Sequence, residues 1–187
     1  MREAWAPLMF ADTDQAAKAT RDPVAPAQRS RAALDKAARH TLDDGTPVHM
    51  DKYAAEAEAI VVITRIKPHT GFRGPTASGL TKMLAIGIGK STGAATYHTH
   101  GMDRFPDLLP AVRNVNISKR NVIFGVGVVE NAYDETALIE IVPAEKLATR
   151  EPELQAIAKV NMPQIFFDEI DVLVIDEMGK NISGAGF

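Results

Sequence analysis

The hydrophobic positions of this chain fall into short unbroken runs more often than into strict alternation. The clearest is Ala59-Ile60-Val61-Val62-Ile63-Thr64, β-branched through its middle and free of charge. A continuous run of this length predicts a central strand buried on both faces. Val122 to Val129 reads as a second strand interrupted by glycines, Ala137 to Val142 as a third and Val172 to Ile175 as a fourth. Elsewhere the period lengthens. Leu80, Met83, Leu84 and Ile88 share one helical face, with Ser78 as the expected N-cap of a helix reaching about Ile88. Helices are also predicted from Pro106 to Asn114, from about Glu151 to Val160, and as a short surface piece from Gln28 to His40. Asp43-Asp44-Gly45-Thr46 has turn chemistry, and Pro47-Val48-His49-Met50 reads as a short extended piece. Strands alternating with helices predict an α/β fold, with a mostly parallel sheet and flanking helices.

Two regions follow from this pattern. Residues 1–40, with Pro7, Pro23 and Pro26 among small and charged residues, read as a loosely attached arm with short helices, and residues 41–187 as the α/β domain. The loop Asp176 to Gly186 follows the fourth expected strand, where a site-lining loop belongs, so the chain reads as a piece of something longer.

Composition narrows the chemistry. With 187 residues, 45% hydrophobic and 24% charged, the chain is long enough for one core of ordinary composition. A net charge of -3 with mixed signs supplies no field that would gather nucleic acid or an anionic membrane. The absence of cysteine excludes disulfides, thiolate zinc sites and cysteine nucleophiles, so a metal would need nitrogen or oxygen donors, or sulfur brought by a cofactor. No apolar run approaches a membrane span and the N-terminus lacks a signal-peptide pattern, which predicts a cytoplasmic protein.

The candidate chemistry clusters just past the first strand. His69 follows Pro68, whose ring stiffens the turn, and is placed as a general base kept neutral by the nearby charges of Lys67 and Arg73; the plainer alternative is a strand-end cap. Lys82 lies near the start of a helix, where the dipole favours a neutral amine suited to covalent use; a phosphate contact beside Gly79, or a lysine reaching into solvent, are the alternatives. His98 and His100 are one residue apart and, with His69, are candidate metal ligands. Gly87 to Gly93 has the glycines and lysine of a phosphate loop but not its spacer, which argues against a nucleoside triphosphatase.

Three segments, DDGTPVHMDKYAAEAEAIVVI, TRIKPHTGFRGPTASGLTKMLAIGIGKSTGAATYHTHG and DEMGKNISGAG, resemble the lactate racemase domain family, related to the nickel-pincer 2-hydroxyacid racemases and epimerases, over residues 44 to 186. The resemblance implies part of a larger racemase N-terminal domain, one that lacks its N-terminal portion. It further implies a nickel-pincer nucleotide, a pyridinium thioamide/thiocarboxylate mononucleotide, tethered to Lys82 with His98 as nickel ligand. His69 is then one of two catalytic histidines, and Lys67 and Arg73 hold cofactor phosphate or substrate carboxylate. The implied reaction is racemisation or epimerisation of a small 2-hydroxyacid by proton-coupled hydride transfer. Its implied partners are that acid, the cofactor-synthesis enzymes, and either a second copy or another chain that supplies the absent second base and carboxylate arginine. Two other readings stand beside it: a catalytically incomplete half-domain that binds a small anion or nucleotide, and a hydrolase with a histidine-held metal.

Overall fold

The computed structural model of this chain describes residues 40–69 and 71–176. A two-residue ladder, β1 (His40–Thr41) and β2 (Pro47–Val48), closes over the Asp44-Gly45 turn, in which Asp44 Oδ1 accepts from Thr46 N at 3.0 Å. Helix α1 (Lys52–Glu56) is capped by Asp51, whose side chain accepts from Tyr53 N and Ala54 N. Strand β3 (Ile60–Arg65) then leads into the polar loop, and an antiparallel bridge between Lys67 and Ser78 pinches that loop at its base. Helix α2 (Leu80–Lys82) runs on into a π-helical turn, Met83–Gly87, marked by the bond from Ile88 N to Met83 O at 2.9 Å. After it come α3 (Lys90–His98), a 3₁₀ turn, α4 (Phe105–Lys119), β4 (Val122–Glu130), β5 (Thr136–Pro143) and α5 (Leu147–Val160).

The fold is α/β, and its three-stranded sheet in the order β3-β4-β5 is mixed: β3 and β4 are parallel, β4 and β5 antiparallel. A mostly parallel sheet was the expectation. The five residues 131–135 between β4 and β5 are too few for a crossover and long enough for a hairpin, which forces the antiparallel pairing.

Helices cover one face of this sheet. Val62, Val129 and Val142 meet Leu80, Leu84, Leu147 and Leu154 in the first hydrophobic cluster. The core presses close on β4: a methyl group on Gly125 would stand 2.7 Å from Leu80 Cδ2 of α2, and one on Gly127 2.6 Å from Cδ1 of Ile66, just past β3. On the other face Ile63, Ile139 and Ile141 remain 58%, 62% and 63% exposed. The Ala59 to Thr64 run is therefore buried on one face among the described residues, not on both. A second cluster, with Phe72, Tyr97, Phe105, Leu109 and Val112, joins the polar loop to α3 and α4. The turn after Lys82 bridges the two, contributing Leu84 to the first and Ala85 to the second.

Other expectations change in detail. Ser78 does not cap α2, because its backbone is engaged with Lys67; Gly79 occupies the N-cap position. Met83, expected on the buried face, is 36% exposed, since the π turn rotates the residues after Lys82. Val172 to Ile175 forms no strand, and these residues are exposed with no pairing partner among the described residues. The helix expected from Gln28 to His40 lies outside the described residues except for His40, which belongs to β1, and the loop Asp176 to Gly186 lies outside them except for Asp176. No helix among the described residues is long and apolar enough to cross a membrane.

Candidate functional site

His69 and His98 lie at the two ends of an aromatic wall. The His69 ring is 4.7 Å from that of Phe72, Phe72 is 5.3 Å from Phe105 in an edge contact, and Phe105 is 5.0 Å from His98 in another. Phe72 comes from the polar loop and Phe105 from the start of α4. Both are buried, at 7% and 2% exposure, so the two histidines are held from beneath while remaining accessible themselves.

Lys82 joins this pair. Burial lowers the His69 pKa below the usual histidine value, and the charges of Lys82 and then His98 lower it further. Lys82 and His98, the latter twenty-nine positions along the chain, are thus each within electrostatic reach of His69. The expected source of the depression was Lys67 and Arg73. Instead the loop carries Arg73 into solvent, while Lys67 lines a cavity of about 380 Å³ with Arg65, Glu130 and Asn161 at the carboxyl ends of β3 and β4. His69, Lys82 and His98 do not line that cavity, so Lys67 faces a space other than theirs.

The hydrogen bonds set the tautomers. His98 Nδ1 lies 2.6 Å from Ala94 O, and a carbonyl only accepts, so the proton is on Nδ1 and the lone pair of the neutral ring is on Nε2. That is the state of a histidine ready to ligate a metal. For His69 the pattern is reversed. Gly71 N donates to His69 Nδ1 at 2.9 Å, so the neutral ring carries its proton on Nε2 and presents a donor. His69 was expected as a general base; in this geometry the neutral ring offers Nε2–H as a hydrogen-bond donor, and Nε2 becomes a proton acceptor only when the ring proton moves to Nδ1.

His100 does not join them. Its Nε2 lies 3.4 Å from Thr46 Oγ1, beside the β1–β2 turn, and among the described residues no three His, Asp or Glu side chains converge on a metal position. The three-histidine hydrolase centre is thus not assembled here. His49, to which no role was given, is buried with Nε2 3.1 Å from Thr96 Oγ1, and its backbone N–H donates to Tyr97 Oη at 3.0 Å.

No protein-family model matches this chain, and no curated protein or solved structure is significantly similar to it. Its site must therefore be read from its own residues.

His98 leaves Nε2 available, and Lys82, on the single turn of α2, is electrostatically coupled to His69. Sequence reasoning missed the supports beneath: Phe72 and Phe105 under the histidines, Asn116 donating to Leu84 O at 2.7 Å, and Glu151 behind Thr81. Phe105 lay in plain view beside Pro106. The polar supports had no local signal, because each meets its partner across tens of residues.

Proposed function

We propose that this chain carries one wall of a 2-hydroxyacid racemase or epimerase site built around a nickel-pincer nucleotide. The observation that carries the reading is the approach of Lys82 and of His98 to His69, in the two charges that act on His69 and in the aromatic wall between the histidines. Lys82 tethers the nucleotide, and His98 ligates nickel through Nε2. When bound, such a cofactor supplies reversible hydride acceptance from the carbon bearing the substrate hydroxyl.

The work of the chain's own residues is proton handling and exclusion of water. As a base His69 would take the hydroxyl proton on Nε2, which requires the tautomer with the ring proton on Nδ1 and so release of the bond from Gly71 N to Nδ1. The imidazolium so formed would return the Nε2 proton to the substrate oxygen when the keto acid is reduced, leaving the ring neutral again. Phe72 and Phe105 form a dry floor under this exchange. Arg73 is the solvent-facing cation of the loop that could turn towards the substrate carboxylate or cofactor phosphate. The mixed charge of the chain and the lack of a membrane-length helix among the described residues support a cytoplasmic setting and a small-molecule substrate.

The test is to produce the chain together with the enzymes that build the nickel-pincer nucleotide and to measure its mass. A cofactor-sized adduct is expected on Lys82, lost in Lys82→Ala; His98→Ala should keep the adduct and lose nickel. An unmodified Lys82 in nickel-loaded protein that interconverts 2-hydroxyacid enantiomers would overturn the assignment.

A further inference from the structure

Helix α2 has no cap of its own: Gly79, at its N-cap position, makes no side-chain bond. The missing acceptor comes from α5. Glu151, wholly buried, receives Thr81 N on both carboxylate oxygens, at 3.0 and 2.9 Å, and Thr81 Oγ1 on Oε2 at 2.5 Å. Arg113, 4% exposed on α4, donates from Nη1 to Thr81 Oγ1 at 2.8 Å, so the hydroxyl links a carboxylate on one helix to a guanidinium on another. One turn beyond Glu151, Gln155 Oε1 accepts from Ala77 N at 3.3 Å. Gly79 makes room for this grip, because a side chain there would run into Glu151 Oε1. Its backbone is extended and open to any residue, so the requirement for glycine comes from its neighbours, Glu151 first and then Ile66 Cγ1 at 3.3 Å.

We propose that Glu151 is a positioning residue for Lys82: through Thr81, with Arg113 behind it, it sets the height and direction of the turn that presents the Lys82 amine. The proposal rests on Lys82 being the reactive lysine of the site. A group that must meet a cofactor within about half an ångström needs its support locked from behind, and a buried chain of carboxylate, hydroxyl and guanidinium that runs through three helices is such a lock. Helix propensity cannot supply it, since α2 is only one turn long before the π-helical segment begins. Burial holds the Glu151 carboxyl above its ordinary pKa against the opposing pull of the Thr81 bonds and the Arg113 charge. A buried acid with this many donors is expensive to maintain for packing alone.

The experiment uses the full chain without cofactor, so its result does not depend on whether the nucleotide attaches. The rate at which N-acetoxysuccinimide acetylates Lys82 is measured by peptide mass spectrometry, as a ratio to Lys119 and Lys146 in the same molecule. Folded Glu151→Gln and Thr81→Val are expected to change that ratio by about tenfold, the worth of one charge-assisted hydrogen bond, while Thr81→Ser, which keeps the bridging hydroxyl, retains it. A wild-type ratio in Thr81→Val, or a Thr81→Ser that behaves as Thr81→Val does, overturns the proposal. If Glu151→Gln does not fold, the two Thr81 variants decide, because both leave Glu151 in place. A chain that never gains an adduct in cofactor-producing cells, yet shows the expected change in acetylation, would remove the cofactor reading and leave the positioning role standing.

Discussion

The short helix bearing Lys82 has two sides that obey different rules. Its inner side, Leu80, Thr81 and Leu84, is at most 1% exposed and is tied to β4, α4 and α5 by packing and by charged hydrogen bonds. Its outer side carries Lys82 towards His69, which like His98 is accessible and held by one backbone bond and an aromatic floor. The difference teaches where this chain puts stability and where it puts reactivity. Precision is built underneath, where water is absent and each bond is strong, and the groups that must exchange protons or bind a metal are left adjustable.

The largest effect expected on this contrast is Leu80→Ala. Leu80 fills the space left by the missing side chain of Gly125 and is fully buried, so deletion should destabilise the chain by about 2–5 kcal/mol in denaturant unfolding. A cost below about 1 kcal/mol would show that the inner side is loosely packed, and the contrast would fail. Next is Asn116→Ala. It strips Leu84 O of a buried donor within the π turn and should cost about 1–3 kcal/mol, with local loss of amide protection around Met83 to Gly87 in hydrogen exchange.

This inner side is also the part least readable from the amino-acid order. Strands β3, β4 and β5 and helices α4 and α5 announce themselves by local runs and periods, and the trio of His69, Lys82 and His98 stands out as polar residues behind a strand. Glu151 and Thr81 are 70 residues apart, and nothing near either one names the other. The antiparallel turn between β4 and β5 was legible in the short 131–135 connection, where the alternation of strands and helices outweighed it. The π turn hides because Leu84 and Ala85 look like any helical apolar pair; only the bond pattern separates them. The apolar run Val172 to Ile175 shows the reverse failure: strand-like residues alone do not make a strand, and among the described residues no backbone pairs with these.

The gentlest perturbation probes the outer side. Three causes hold His69 below the ordinary histidine pKa of about 6.5: burial first, then the charge of Lys82, then that of His98. Lys82→Gln should therefore raise the His69 pKa, followed by NMR through its Cε1 proton, and His98→Gln should raise it by less. In the double variant it should still titrate below its ordinary value, because Phe72 and the loop continue to shield the ring. The sign for stability follows from the same direction. A depressed folded pKa means that the unfolded chain binds the proton more readily, so the contribution of His69 is complete above about pH 6.5 and is lost as pH falls through the folded value. Removing Lys82 narrows that window from its acid side, and the variant should lose less stability on acidification than the parent does. If Lys82→Gln leaves the titration unchanged, Lys82 does not sit beside His69, and the outer side is a lone histidine on an aromatic floor with no shared site around it.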